Sequence, residues 1–337
     1  MTTSKHQPQL IDRFGRKVTY VRMSITDRCD FRCVYCMDEE MTFMPREHLL
    51  NLEEIVFLLR AFCELGVEKV RVTGGEPLVR RNVDWLFEQL GQLKQSTALK
   101  ELTLTTNGSQ LTKYAPSMVS AGLDRINISL DSLKADRFRE LTRNGDLSTV
   151  LAGIESASQA GFKRIKLNAV IMKGRNEDEI IDLARFAIKH DLDITYIEEM
   201  PLGQVSHSRD ESYCSSDDVL AELKTVFELQ PSVTSTGGPS RYYQVADTSS
   251  KIGFISPHSH NFCDSCNRVR VTTEGRLLLC LGQEHSVDLR EIIRRYPGDS
   301  ERLKQAIIDS MAIKPEGHDF NIESEAVISR HMSVTGG

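Results

Sequence analysis

Lys69-Val70-Arg71-Val72-Thr73-Gly74-Gly75-Glu76-Pro77 reads as a strand with two unlike faces that ends in a glycine turn. Strand side chains alternate, so both charges fall on one face and both valines on the other. The pattern recurs downstream. Leu102 and Leu104 oppose Thr103 and Thr105, Ile126 and Ile128 oppose Asn127 and Ser129, and Ile165, Leu167 and Ala169 oppose Lys166 and Asn168. Upstream, Val21, Met23 and Ile25 alternate with Arg22, Ser24 and Thr26. Strands are therefore predicted at 18–26, 69–73, 101–106, 125–130, 164–170 and 193–199, with helical spacing near 52–65, 83–93, 114–121, 149–160 and 178–190. Six strand–helix units in alternation imply an α/β fold with a parallel sheet wound right-handedly, either open or closed into a barrel. Helices must cover the apolar faces, which turns the polar set inward. The usual eight-stranded barrel fills its interior with branched apolar side chains. A polar, partly basic interior implies instead a wider or open barrel built to hold a polar ligand. The sixth strand is ambiguous, because Ile197 shares its parity with Thr195 and Glu199.

The totals narrow the class. A chain of 337 residues with 40% hydrophobic content can bury a substantial core. A net charge of −6 gives no sign of a nucleic-acid or anionic-membrane partner, so any basic site must be local. No long apolar run and no charged-then-apolar leader stands at Met1 to Leu10, which predicts a cytoplasmic protein. Eight cysteines in that setting point to metal or redox chemistry more than to disulfides.

Six of the eight form two triads. Cys29, Cys33 and Cys36 follow the first predicted strand, close enough for one short loop to aim three sulfurs at one centre. Structural zinc and a closed iron–sulfur cluster both want four ligands, so a triad suggests a cluster with one iron left open. A zinc site with a distant fourth ligand is the alternative. At the second strand's end, Gly74 and Gly75 permit close backbone approach and Glu76 can accept from an ammonium group. Past Pro201 the alternation stops. A polar stretch at 203–216, a helix over 217–229 and a Pro/Ser/Thr/Gly stretch over 231–240 place a domain boundary between 14–230 and 231–337. Short strands at 242–245 and 252–255 precede Cys263, Cys266 and Cys280. His258, His260 and His285 lie near in sequence, which keeps a Cys₃His zinc site open as the alternative there. Cys63 falls in a helix as a small buried hydrophobe, and Cys214 is assigned no role.

The Cys-x-x-x-Cys-x-x-Cys spacing resembles that of the radical S-adenosylmethionine enzymes. Two triads, the Gly-Gly-Glu-Pro turn, Arg268 and Arg270 after Cys266, and a chain ending in Gly336-Gly337 together resemble the GTP 3′,8-cyclases of molybdenum cofactor biosynthesis, from about Phe14 to the last residue. The resemblance implies an incomplete (β/α)6 TIM-type barrel of the radical S-adenosylmethionine kind with a smaller C-terminal iron–sulfur domain. It implies two 4Fe–4S clusters, a catalytic one on Cys29, Cys33 and Cys36 and a second on Cys263, Cys266 and Cys280. S-adenosylmethionine would lie against Tyr35, Gly75, Glu76, Ser129 and Met200. The substrate GTP would meet Arg22, Lys69, Arg71, Thr105, Lys166, Arg268, Val269 and Arg270, with guanine on the second cluster and the triphosphate on the basic residues. A 5′-deoxyadenosyl radical would take the ribose 3′ hydrogen, after which the 3′ carbon attacks the guanine 8 position. The Gly336-Gly337 tail would thread into the barrel near the substrate. Implied partners are an external electron donor such as flavodoxin or ferredoxin and a downstream cyclic pyranopterin monophosphate synthase, and a homodimer is compatible with the likeness.

Two departures stand out. The family often has an arginine where this chain has Thr195, and Thr142-Arg143-Asn144-Gly145 differs from the usual Thr-Gly-Arg order. Both bear on phosphate binding more than on the reaction. A radical maturase acting on a peptide is the nearest other enzyme, but it needs an open groove and has no use for six basic residues around a small ligand. A zinc-stabilised binding module is the non-enzymatic alternative, and the acidic total with inward basic residues speaks against a nucleic-acid partner for it.

Overall fold

Six parallel strands stand side by side in chain order: β1 (Tyr20–Ser24), β2 (Lys69–Thr73), β3 (Glu101–Thr106), β4 (Arg125–Ser129), β5 (Arg164–Ile171) and β6 (Asp193–Glu198). The structure is a computed structural model, and it describes residues 9–234, 236–321, 328 and 330–336. Helices α1 (Leu52–Glu64), α2 (Val83–Ser96), α3 (Leu111–Ser120), α4 (Ala135–Thr142), α5 (Leu147–Ala160) and α6 (Ile180–Lys189) connect the strands. Local signals set their ends. Asn51 and Glu54 close a capping box at the start of α1, and Asp146 accepts from Ser148 N–H at the start of α5, which stops at Gly161.

The alternation read from the sequence holds. Val70, Val72, Leu102, Leu104, Ile126, Ile128 and Leu167 are fully buried in one apolar cluster with Ile55, Leu58, Leu59 and Phe62 of α1. Each such side chain contributes about 1.5–3 kcal/mol by leaving water. The register Arg22↔Arg71↔Thr103 and Asn127↔Lys166 keeps the polar residues of neighbouring strands level on the opposite face. That face encloses a cavity of about 270 Å³.

The second half of the chain extends both ends of the same sheet. Strands β7 (Leu229–Ser232), β8 (Arg241–Val245) and β9 (Lys251–Ile255) add beyond β6, while β10 (Arg268–Val271), β11 (Arg276–Leu278) and β12 (Ser286–Asp288) add beyond β1. Both joins, β6 to β9 and β1 to β10, are parallel, and the outer pairs are antiparallel. Among the described residues the sheet runs β12-β11-β10-β1-β2-β3-β4-β5-β6-β9-β8-β7 without closing, which makes it an incomplete barrel. Several details differ from the sequence reading. The helix expected over 217–229 covers only Ser216–Lys224, and Pro231 sits within β7, an edge strand where its missing N–H is tolerated. Helix α4 was not predicted, because only Phe138, Leu141 and Thr142 of its eight residues are buried and no period can be read from so short a run. No helix of the described residues is long and apolar enough to cross a membrane.

Candidate active site

The two cysteine triads lie at opposite ends of one cavity. Cys29 follows β1, whereas Cys266 precedes β10, and these strands are parallel with Tyr20 opposite Arg268. All six cysteines line the cavity wall, and all are free thiols. The first loop is braced from behind by the end of α4: Arg32 N–H donates to Thr142 O and Val34 N–H to Leu141 O, both at 2.9 Å. Arg143, in a left-handed conformation at φ 58°, reaches from there to the carbonyls of Arg32 and Met37. Asn107 donates to Asp30 at 2.7 Å, and the Tyr35 hydroxyl donates to Asp131 at 2.8 Å, which pins the loop to the ends of β3 and β4. Burial pushes the Cys36 thiol up to about 12 and Cys29 and Cys33 up as well. At the second triad burial raises Cys280, but at Cys266 the charges of Arg268 and Lys314 outweigh burial and bring the thiol below its ordinary value. Lys314 Nζ lies 3.8 Å from Cys266 Sγ.

Sets of three thiols with no carboxylate in either triad suit iron–sulfur clusters that keep one iron open. The histidines that would complete a zinc set at the second triad are placed otherwise. His258 Nε2 lies 3.0 Å from Glu199 O, His260 pairs with Asp217 at 2.8 Å, and His285 is exposed. His318, which the sequence reading passed over, does line the cavity on that side; its Nδ1 accepts from Phe320 N–H at 3.3 Å.

Between the triads runs a band of cations. Arg22, Lys69, Arg71, Lys166, Arg268 and Arg270 all line the cavity. Arg71 donates to the Tyr20 hydroxyl at 2.6 Å and to Thr105 Oγ1 at 3.2 Å. Lys69 pairs with Glu101 at 2.9 Å and donates to Thr236 O at 2.6 Å. Burial alone would raise the Tyr20 phenol, yet Arg71, Arg22 and Lys69 bring it down to about 6. Burial also pushes Arg270 well below its ordinary value. So many cations drawn out of water call for an anionic ligand. The tail enters the same band: Arg270 donates to the carbonyl oxygens of Gly336 and, at 3.4 Å, Thr335, and Arg22 reaches Gly336 O at 3.4 Å. Gly337 lies outside the described residues.

Gly75, Tyr35, Ser129, Met200, Thr105 and Val269 also line the cavity. Glu76 is turned away from it. Its carboxylate accepts from Leu78 N–H at 2.9 Å, Thr106 Oγ1 at 2.8 Å and Asn107 N–H at 2.7 Å, and burial holds it up at about 8. Three donors of its own chain satisfy it, so it ties the glycine turn to the end of β3. The sequence reading missed Tyr242, whose partner Lys166 comes from another strand.

The comparisons agree with this geometry. A Radical SAM superfamily model matches residues 23–187, and a Molybdenum Cofactor Synthesis C model matches residues 192–320. The GTP 3′,8-cyclase of Saccharophagus degradans is 60% identical over 97% of this chain and 98% of its own length. That of Pseudomonas putida strain W619 is 57% identical over 97% and 98%. Among solved structures, SuiB of Streptococcus suis shares the fold at a TM-score of 0.60 and 15% identity, over 83% of this chain and 65% of that one. On relatives this similar over nearly their whole length, the chain belongs to the GTP 3′,8-cyclase family of radical S-adenosylmethionine enzymes.

Proposed function

We propose that the cavity converts GTP to (8S)-3′,8-cyclo-7,8-dihydroguanosine 5′-triphosphate, the first step of molybdenum cofactor biosynthesis, with S-adenosylmethionine and two 4Fe–4S clusters as cofactors. The observation that carries this reading is the shared cavity: two thiol triads at opposite ends of one cation-lined lumen. Cys29, Cys33 and Cys36 would hold the first cluster, and Cys263, Cys266 and Cys280 the second. When bound, the first cluster and the sulfonium supply a one-electron cleavage that yields a hydrogen-abstracting carbon radical.

The chain's own residues bind, orient and shield. Gly75, Tyr35, Ser129 and Met200 flank the first triad and form the wall for S-adenosylmethionine. Arg22, Lys69, Arg71, Lys166, Arg268 and Arg270 hold the triphosphate and so fix the ribose between the triads, the positioning on which a single hydrogen abstraction depends. Thr105 and Val269 complete that wall. The tail carbonyl on Arg22 and Arg270 sets the direction of both guanidinium groups. An external carrier such as flavodoxin or ferredoxin delivers the electron, and cyclic pyranopterin monophosphate synthase consumes the product.

The test is anaerobic incubation of the reduced protein with S-adenosylmethionine and each nucleoside triphosphate in turn. Formation of 5′-deoxyadenosine and a cyclised nucleotide with GTP alone is expected. Equal formation with all four, or none with GTP, removes the reading.

A further inference from the structure

Lys314 is 1% exposed, and its ammonium group faces a sulfur where a carboxylate would be usual. It has two partners among the described residues: Nζ donates to Leu279 O at 2.9 Å and lies 3.8 Å from Cys266 Sγ. The neighbouring cation is provided for differently. Arg16 pairs with Asp12 at 2.7 Å and donates to the carbonyls of Cys263, Pro315 and Glu316 at 2.8, 2.6 and 2.5 Å. A cation drawn out of water is costly unless an opposite charge faces it. For Lys314 that charge has to come from the second triad.

The backbone holds the lysine there. Lys314 follows the helix Ser300–Ser310 and a single turn, Met311–Ile313, and its N–H donates to Met311 O at 3.3 Å. Leu303, Ile307 and Met311 are buried in the main apolar core, so the lysine is fixed to a rigid part of the chain. The residues after it pass over the triad. Gly317 O lies 3.9 Å from Cys280 Sγ, and a Cβ on Gly317 would stand 3.4 Å from Cys263 Sγ. The segment 314–317 thus approaches all three sulfurs, and the charge it turns to them is that of Lys314, because Glu316 is exposed. The first triad has the opposite neighbour, with Asp30 Oδ1 3.9 Å from Cys29 Sγ.

We propose that Lys314 is the charge partner of the second cluster and raises its reduction potential. Three thiolates make an open-iron cluster anionic, and reduction adds one more negative charge. A fixed ammonium beside a ligand sulfur therefore favours the reduced form. Net charge, contacts to the sulfurs and exposure are the levers by which a protein sets such potentials. The electron comes from the external carrier, and no bond is made or broken. Lys314 touches a ligand and no reacting atom, so it acts through the cluster. The inference rests on the reading of Cys263, Cys266 and Cys280 as a cluster site, and it adds which residue decides how readily that site takes an electron.

The experiment titrates the anaerobically reconstituted holoenzyme with dithionite and reads both clusters by electron paramagnetic resonance, for the parent, Lys314→Met, Lys314→Gln and Lys314→Arg, with iron per chain and Tm recorded. S-adenosylhomocysteine, which has the amino and carboxylate groups but no cleavable sulfonium, marks the first cluster by perturbing its signal. In Lys314→Met and Lys314→Gln the ratio of reduced to oxidised second cluster at a fixed potential is expected to fall about tenfold, which is about 59 mV for one electron. The first cluster should not move. Glutamine can still donate to Leu279 O, so an equal fall in both variants assigns the effect to charge, and Lys314→Arg, which keeps the charge, should keep the potential. A Gln variant at the parent potential, an Arg variant that falls as far as Met, or a parallel shift of both clusters overturns the proposal. Loss of the second cluster's iron from Met and Gln alike shows a packing role and overturns it too; if Met alone loses iron, Gln carries the test by the same criteria. A parent chain that holds iron for one cluster only overturns the functional reading instead, which keeps the two failures apart.

Discussion

Arg270 donates through Nη1 to the carbonyl oxygen of Gly336, so a residue of β10 and the penultimate residue of the chain meet inside the barrel. The contact needs glycine. Gly336 has φ 80°, and a Cβ there would collide with Thr73 Oγ1.

Gly336→Ala, or a tag fused after Gly337, is therefore expected to lower cyclisation at least tenfold while iron content and Tm stay near those of the unaltered protein. The rate of cyclised product, set against iron per chain, checks it. A tagged enzyme working at the untagged rate would falsify the role of the tail.

The triphosphate band gives a second expectation. One charge-assisted contact is worth roughly 1.5–3 kcal/mol, or about ten- to a hundredfold in affinity. Arg71→Ala and Arg268→Ala should each weaken GTP by that order with both clusters retained. Equal affinity of the unaltered protein for guanosine and GTP would show that the cations serve some other end.

Much of this site was legible in the sequence, for a physical reason. Lys69, Arg71, Lys166 and Asn168 stand on strands whose strict alternation fixes which face each side chain takes, and the cysteine spacing is local. What the sequence withheld depends on partners far away in the chain. Glu76 faces Thr106 and Asn107 instead of the cavity because a turn leaves its χ angles free to choose among donors that only the fold brings near. Helix α4, whose end holds the first cysteine loop, is too short for a period. The strands β7 to β12 are three to five residues long, and nothing in such runs says that they flank both ends of one sheet.

A third prediction concerns Glu101, which Lys69 and Arg125 both engage. Burial would raise this carboxyl, but the two cations more than reverse that and hold it below its ordinary value. A depressed carboxyl contributes stability above its unfolded pKa of about 4.3, and that contribution is lost as pH falls through the lower folded value. Glu101→Gln should thus be less stable than the parent at pH 7, by an amount on the order of 1 kcal/mol given the partial exposure of the pair. The gap should close below pH 4. Denaturant melts at pH 7 and pH 3.5 measure it, and a gap independent of pH would mean that packing, not charge, is what the substitution removes.

The last prediction separates the two triads. Cys29, Cys33 and Cys36 lie beyond the end of β1, and Cys263 and Cys266 lie before the start of the parallel strand β10, so the two sites share a cavity but no ligand. Replacing one set with Ala removes donors from one end only. The Cys29, Cys33 and Cys36 triple variant should keep about half the iron and lose all sulfonium cleavage. The Cys263, Cys266 and Cys280 variant should also keep about half, yet still yield 5′-deoxyadenosine slowly, without cyclised nucleotide, since its first site is whole. Metal binding releases thiol protons, and the raised thiols of the first triad have more to release. Reconstitution of the variant that retains Cys29, Cys33 and Cys36 should therefore depend more steeply on pH than that of its counterpart, where Arg268 and Lys314 already favour the Cys266 thiolate. Iron and sulfide per chain, measured after reconstitution at pH 7 and pH 8.5, decide the matter. Loss of all iron from either variant would show one shared site where the geometry places two.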